Sequence, residues 1–274
     1  PDSVLNSFIK DLNKVKKINH DPTINEGSAI GLGADYYLST KKIPLIYMQN
    51  SGLCNALNPI LSLVDEKVFS IPQIILVGRR GAPGIKDEPQ HAKIGPKTLN
   101  LLKSLDLKYF DLNKCSNFKE IEKNVKKSIT IAKKNSKPVF LIVNKKFFKS
   151  ETSKKRIIKN SQLLKRIGYL DSLIKNKKNK DSIFFSSLGN VSREIFHLNT
   201  INKISHKRFF YSIGGMGHVS QIALEFKKFR RNKKVIIIDG DGSVQMQLGN
   251  LLKIGKSNLS ILHMASEIKN CKRV

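Results

Sequence analysis

Val235-Ile236-Ile237-Ile238-Asp239-Gly240-Asp241-Gly242-Ser243 decides the fold. Four branched apolar residues in a row suit a short strand buried on both faces, the kind found in parallel sheets. Gly-Asp-Gly then turns the chain into a helix expected over 245–254. The glycines permit close backbone approach, and amides at such a turn can face an anion. Asp241 adds a hard oxygen suited to magnesium beside a phosphate. Taken alone, the same triplet also describes an ordinary turn.

Working outward, similar apolar runs occur at 43–48, 73–77, 139–143, 183–186 and 209–212, with helical patterns at 26–38, 54–65, 97–105, 118–135 and 219–229. Strands alternating with helices predict an α/β protein with parallel sheets covered on both faces. Such sheets bind ligands beyond the carboxyl ends of their strands. Between Asn144 and Lys180 the text becomes a basic connector with some helix, ending in Lys175-Asn176-Lys177-Lys178-Asn179-Lys180. The expected organisation is a first α/β domain over 1–145, a linker over 146–180 and a second α/β domain over 181–274.

The 274 residues carry 50 Lys+Arg against 21 Asp+Glu, a formal charge of +29. Lysine is spread over most expected helices, and no zinc-finger spacing or aromatic-interleaved basic motif accompanies it, so nucleic acid is not the expected partner. An anionic substrate would gain from the field regardless. No apolar run reaches the ~18–20 residues that span a bilayer, and no membrane partner is expected. Cys54, Cys115 and Cys271 lie far apart and suit a reducing compartment, giving a cytoplasmic expectation.

Two further turns carry chemistry. Tyr211-Ser212-Ile213-Gly214-Gly215-Met216-Gly217-His218-Val219 sits about one βα unit before the first, so two glycine-rich turns on neighbouring strands can floor a diphosphate. His218 could instead merely cap its helix. In the other half, Asn25-Glu26-Gly27-Ser28-Ala29 opens a helix, where an acid is favoured by the helix dipole alone. Gly249 to Gly255-Lys256-Ser257 has one residue too many for a P-loop, and Gly214–Gly217 does not match the dinucleotide fingerprint.

In combination these segments resemble the phosphonopyruvate decarboxylase family of thiamine-diphosphate-dependent enzymes. The resemblance rests on Asn25-Glu26-Gly27, on Gln49-Asn50-Ser51-Gly52-Leu53-Cys54-Asn55-Ala56, on Gly78-Arg79-Arg80-Gly81-Ala82-Pro83-Gly84-Ile85-Lys86-Asp87-Glu88-Pro89-Gln90-His91, and on the turns after 211 and 238. It implies two doubly wound parallel-sheet domains of the thiamine-diphosphate-binding fold, the first for the pyrimidine, the second for the diphosphate and incomplete. It implies decarboxylation of 3-phosphonopyruvate to phosphonoacetaldehyde and carbon dioxide, as in phosphonate biosynthesis. Glu26 would hydrogen-bond the aminopyrimidine ring as the catalytic acid. Gln49, Asn50, Gly215, Met216, Gly217, His218, Gly240, Asp241, Gly242 and Ser243 would bind the cofactor, with Asp241 on Mg2+. A homo-oligomer follows, its sites shared between subunits. For the phosphonate of this small anionic 2-oxo acid, the candidates are Arg79, Arg80, Lys86, Gln90 and His91, with Asp87 and Glu88 orienting them. The plain alternatives are a solvated Arg-Arg-Gly loop, and Gln49, Asn50 and Asn55 satisfying a buried turn.

The pattern breaks near the end. An asparagine pair that completes the family's magnesium site would fall at Ala265-Ser266, after a strand at 259–263. A truncated chain is therefore expected, with Val235–Ile238 left beside an open edge and cofactor bound weakly or not at all. Sulfopyruvate decarboxylation and a catalytically inactive fragment of such an enzyme are the alternatives.

Overall fold

The computed structural model describes residues 4–148 and 166–257, and the backbone alone over 261–265. It divides into two compact units, Pro1–Lys154 and Lys155–Val274.

In the first unit, α1 (Asn6–Leu12) and α2 (Glu26–Thr40) precede β1 (Leu45–Gln49) and α3 (Asn50–Pro59), which runs on into a π-helical turn at Ile60–Val64. Then come β2 (Ile74–Arg79), α4 (Ile94–Ser104), β3 (Tyr109–Asp111), α5 (Phe118–Asn135) and β4 (Val139–Asn144). The strands are all parallel in the order β1-β2-β4-β3. Strand periodicity divides the side chains between two cores. Met48, Ile75, Val77, Phe140 and Ile142 pack with α2, α3 and α4 on one face. Leu76, Val139, Leu141 and Val143 face the other way, toward Leu5 and toward Ala132 of α5.

The second unit holds α6 (Arg166–Lys175), β5 (Ile183–Ser186), α7 (Asn190–Ile201), β6 (Phe209–Tyr211), α8 (Val219–Phe229), β7 (Val235–Asp239), α9 (Asp241–Met246), α10 (Gly249–Lys256) and β8 (Ile261–Ala265). Its parallel strands run β6-β5-β7-β8. Phe184, Ile236 and Ile238 pack on α6 and α7, while Phe185, Val235 and Ile237 pack on α8. From β5 the chain moves outward to β6, then crosses back to β7, so the helices after β5 and β6 lie on opposite faces. The β5/β7 boundary is thus where strand order reverses.

Several expectations need correction. β7 is paired by β5 on one side and by β8 on the other, and Val235, Ile236, Ile237 and Ile238 are each 0% exposed. β7 is therefore not itself an edge strand; the described sheet ends at β8. The stretch read as a connector with some helix does hold a helix, α6, but its Leu170 and Ile174 are buried in the second unit's core. The helix expected at 245–254 is two helices broken at Gln247-Leu248. The helix expected at 54 begins at Asn50. The substituted asparagine pair lies partly, and the residues from Ser266 to Val274 wholly, outside the described residues. Among the described residues no helix is long and apolar enough to cross a membrane.

Candidate active site

Glu26 is the first residue of α2, and its position follows from local capping. The Asn25 side chain accepts from Ser28 N at 2.8 Å, satisfying an amide the first helical turn leaves without a partner. This fixes Glu26 at the helix start, half-buried. Its carboxylate lies in a slot on α3. A Cβ built on Gly52 would sit 2.1 Å from Glu26 Oε1, and Asn55 Nδ2 donates to Glu26 Oε2 at 3.1 Å. One helical turn separates Gly52 from Asn55, so both present to α2 from the same side of α3. Gln49, at the end of β1, donates through Nε2 to Ser51 Oγ.

The loop after β2 is a folded element and not a solvated one. Asn50 is fully buried: Nδ2 donates to Arg80 O and to Thr98 Oγ1, both at 3.0 Å, and Oδ1 accepts from Arg80 N at 3.0 Å. Arg79 is 6% exposed and donates from Nε to Gly95 O at 2.8 Å. Burial lowers its pKa, opposed by Asp111 and Tyr109. Arg80 pairs with Asp87, whose side chain is 3% exposed and whose Oδ2 also accepts from Gly81 N at 3.0 Å. The hydrogen bonds from Arg80 hold the Asp87 carboxyl well below the usual carboxylate range. His91 is buried, with Nδ1 lacking a protein partner, and its pKa is lowered by burial and then by Arg80. Backbone closeness explains two glycines: a Cβ at Gly95 would sit 1.8 Å from Gly81 O, and one at Gly81 2.3 Å from His91 O. Among the substrate candidates, Arg79, Asp87 and His91 are therefore turned inward, and Arg80 is tied to Asp87. Lys86, Glu88 and Gln90 lie exposed on the same loop.

In the second unit, the two glycine turns meet. Gly217 N donates to Ser243 Oγ at 3.0 Å, and Asn250 Nδ2 donates to Gly217 O at 3.0 Å. Gly217 has φ +90, and a Cβ there would lie 2.6 Å from Gln247 Cγ; a Cβ on Gly242 would lie 2.9 Å from Met216 Cε. Gly240 N donates to Ser187 Oγ at 2.9 Å and to Asp239 Oδ1 at 3.0 Å. Ser187 N in turn donates to Ile238 O at 3.0 Å, so the β5/β7 boundary is stitched just below the Gly-Asp-Gly turn. Asp241, Gly215, Met216 and His218 are exposed, the last with Nδ1 close to Gly215 O and Met216 O. Among the described residues no group of three or more His, Cys, Asp and Glu is gathered as a metal site.

The second unit brings residues 215–217 together with 242–243, whereas in the first unit Glu26 meets Gly52 and Asn55 and Gln49 is bonded to Ser51. Sequence reading missed Gly52 as the slot for Glu26, and Ser187 and Asn250 as braces of the glycine turns. The signal for Ser187 was present in Ser186-Ser187-Leu188-Gly189, a small-residue turn between strand and helix.

Residues 1–100 match the family described as thiamine pyrophosphate enzyme, N-terminal TPP binding domain. The chain is 28% identical to a phosphonopyruvate decarboxylase of Streptomyces viridochromogenes over 243 residues, 84% of this chain and 58% of that protein. It therefore spans a little over half the length of that relative. It is also 38% identical over 110 residues to a sulfopyruvate decarboxylase subunit alpha of Methanococcus maripaludis, covering 40% of this chain and 64% of that protein. A subunit beta of Methanocaldococcus jannaschii matches at 37% over 94 residues, 34% of this chain and 46% of that protein.

Proposed function

We propose that this chain, a relative of the thiamine-diphosphate-dependent decarboxylases named for phosphonopyruvate and sulfopyruvate, decarboxylates 3-phosphonopyruvate to phosphonoacetaldehyde and carbon dioxide, using thiamine diphosphate and Mg2+. The observation that carries this reading is the Glu26 carboxylate, set in a slot open only because residue 52 is glycine, within the segment that matches a thiamine-diphosphate-binding domain.

When bound, the cofactor supplies the electron sink for the carbon–carbon bond that breaks. The protein's residues do the rest. Glu26 offers a carboxyl oxygen to the pyrimidine ring nitrogen and holds or yields a proton there. Main chain at exposed Gly215 and at the Asp241-Gly242 helix start is offered to the diphosphate; a Cβ at Gly215, where φ is +63, would meet nothing within 4 Å, while Gly217 and Gly240 are braced by Ser243, Asn250 and Ser187. Ser243 and Asn250 hold the two turns in register. Asp241 would hold Mg2+, which commonly takes one or two protein carboxylates beside phosphate oxygens and water, so an exposed single aspartate suits it. Gln49, Met216 and His218 border these surfaces as further contacts. Exposed Lys86, Glu88 and Gln90 face the substrate, while Arg79, Arg80, Asp87, His91 and Asn50 set the shape of the loop that presents them. The site is completed between copies of the chain, Glu26 of one meeting the Gly-Asp-Gly turn of another. Relatives divided into subunits alpha and beta support an assembly of this kind.

A second reading, sulfopyruvate decarboxylation, is favoured by the locally higher identity to the sulfopyruvate enzymes. Carbon dioxide release from the two acids, measured side by side with thiamine diphosphate and Mg2+, decides. Faster release from 3-phosphonopyruvate is expected; preference for sulfopyruvate would establish the second reading, and release from neither would refute both.

A further inference from the structure

Resting on the reading of Glu26 just given, we infer that Asn55 is a positioning residue that decides which oxygen of the Glu26 carboxyl carries the proton. The two carboxyl oxygens are not equivalent. Oε1 lies against the bare backbone of Gly52, and Oε2 accepts from Asn55 Nδ2 at 3.1 Å. An amide N–H can only donate, and the unprotonated oxygen of a carboxyl is the better acceptor, so the bond favours Oε2 as the unprotonated one. With this bond intact, a proton on Glu26 is favoured on Oε1. Oε1 is then the atom that gives the proton to, or shares it with, a ring nitrogen.

The backbone supports the same division of labour. Asn25 caps α2 and fixes the Glu26 Cα, and a Cβ on Gly27 would lie 3.3 Å from Asn55 O, so the start of α2 closely approaches the middle of α3. Asn55 is exposed and makes no other side-chain hydrogen bond among those described, so its amide serves Glu26 and not the core. Removing it should leave the fold intact and free the carboxyl to rotate. Replacing it by aspartate turns the donor into a like charge, which disfavours ionisation of a neighbouring carboxyl.

The test compares the full chain with Asn55→Ala, Asn55→Asp and Glu26→Gln by calorimetric titration of thiamine diphosphate in the presence of Mg2+. Titrations are run across pH and in two buffers of different ionisation enthalpy, so that protons exchanged on binding are counted. Asn55→Ala is expected to bind roughly tenfold more weakly, the size of a lost hydrogen bond to a charged group. Asn55→Asp should move the pH dependence of affinity and of proton exchange upward by about one unit, with an unchanged melting temperature. Wild-type affinity, pH dependence and proton count in both Asn55 variants would overturn the inference. If Glu26→Gln alone loses binding or proton exchange, the site stands and the role of Asn55 falls. If Glu26→Gln is also unchanged, or the unsubstituted protein binds no cofactor, the reading of the site falls with it.

Discussion

Glu26 and Gly52 illustrate how a residue's meaning is set by a neighbour far away in sequence. An acid at a helix start is favoured by the dipole whatever it does, so sequence could rank Glu26 only through its companions. The structure adds a physical reason for Gly52: no other residue leaves room for the carboxylate, since even a methyl group would be 2.1 Å from Oε1. Gly52→Ala should therefore displace Glu26 and weaken thiamine diphosphate binding at least tenfold; affinity like that of the unsubstituted protein would show the slot to be irrelevant. Gly217 is constrained differently, by φ +90 and by Gln247. Gly217→Ala should cost about 1–3 kcal/mol in chemical denaturation, and no loss would mean that the turn relaxes freely.

The loop between β2 and α4 shows what pattern reading cannot see at the scale of an element. Arg79 and Arg80 read as charges for a substrate, with Asp87 orienting them, because charged residues on loops usually face water. Here Asn50, buried at the start of α3, captures the Arg80 backbone, and Arg80 then takes Asp87. Burial and pairing are tertiary facts that composition does not carry. By contrast, the ends of α5 and α8 match the pattern residue for residue, since Asn117 caps α5 and its amphipathic spacing is strong. Some helix was expected in the lysine-rich text that holds α6, but not its packing into a core, and α7 escaped notice because it mixes branched and polar residues.

The part-buried Arg80–Asp87 ion pair makes a pH prediction. Asp87 has a folded pKa below its unfolded one, so its contribution is fully present above the ordinary aspartate value of about 3.9 and is lost as pH falls through the depressed value. His91, also lowered, contributes above about 6.5 and begins to oppose folding as pH falls below that. Stability measured by denaturation should decline on acidification. Asp87→Asn should lower stability at neutral pH by on the order of 3 kcal/mol and flatten the drop at the acid end. An unchanged acid limb would remove Asp87 from the account.

Across the whole molecule, most of the architecture was legible. The apolar runs that become β1, β2, β4, β5, β6 and β7 are each marked in sequence; β2, β4, β5 and β7 are buried on both faces and leave continuous hydrophobic text, while β1 and β6 lie at sheet edges and are partly exposed. β3, three residues long, is too short to register. The expected exposure of β7 failed because the strand read at 259–263 forms, two residues later, as β8 and pairs with β7. The formal charge of +29 bears on rate more than on fold. For a dianionic substrate, kcat/KM should fall several-fold between low salt and about 0.5 M, where the Debye length shrinks to a few ångströms. Salt-independent kcat/KM would assign the charge no part in capture.

The most direct test of the account is carbon dioxide release from 3-phosphonopyruvate by the unsubstituted protein and by Glu26→Ala, each with saturating thiamine diphosphate and Mg2+. Loss of a proton-handling group predicts a fall of about 10²–10⁴-fold in the variant. Equal rates in the two proteins would contradict the central claim that the Glu26 carboxyl serves the reaction.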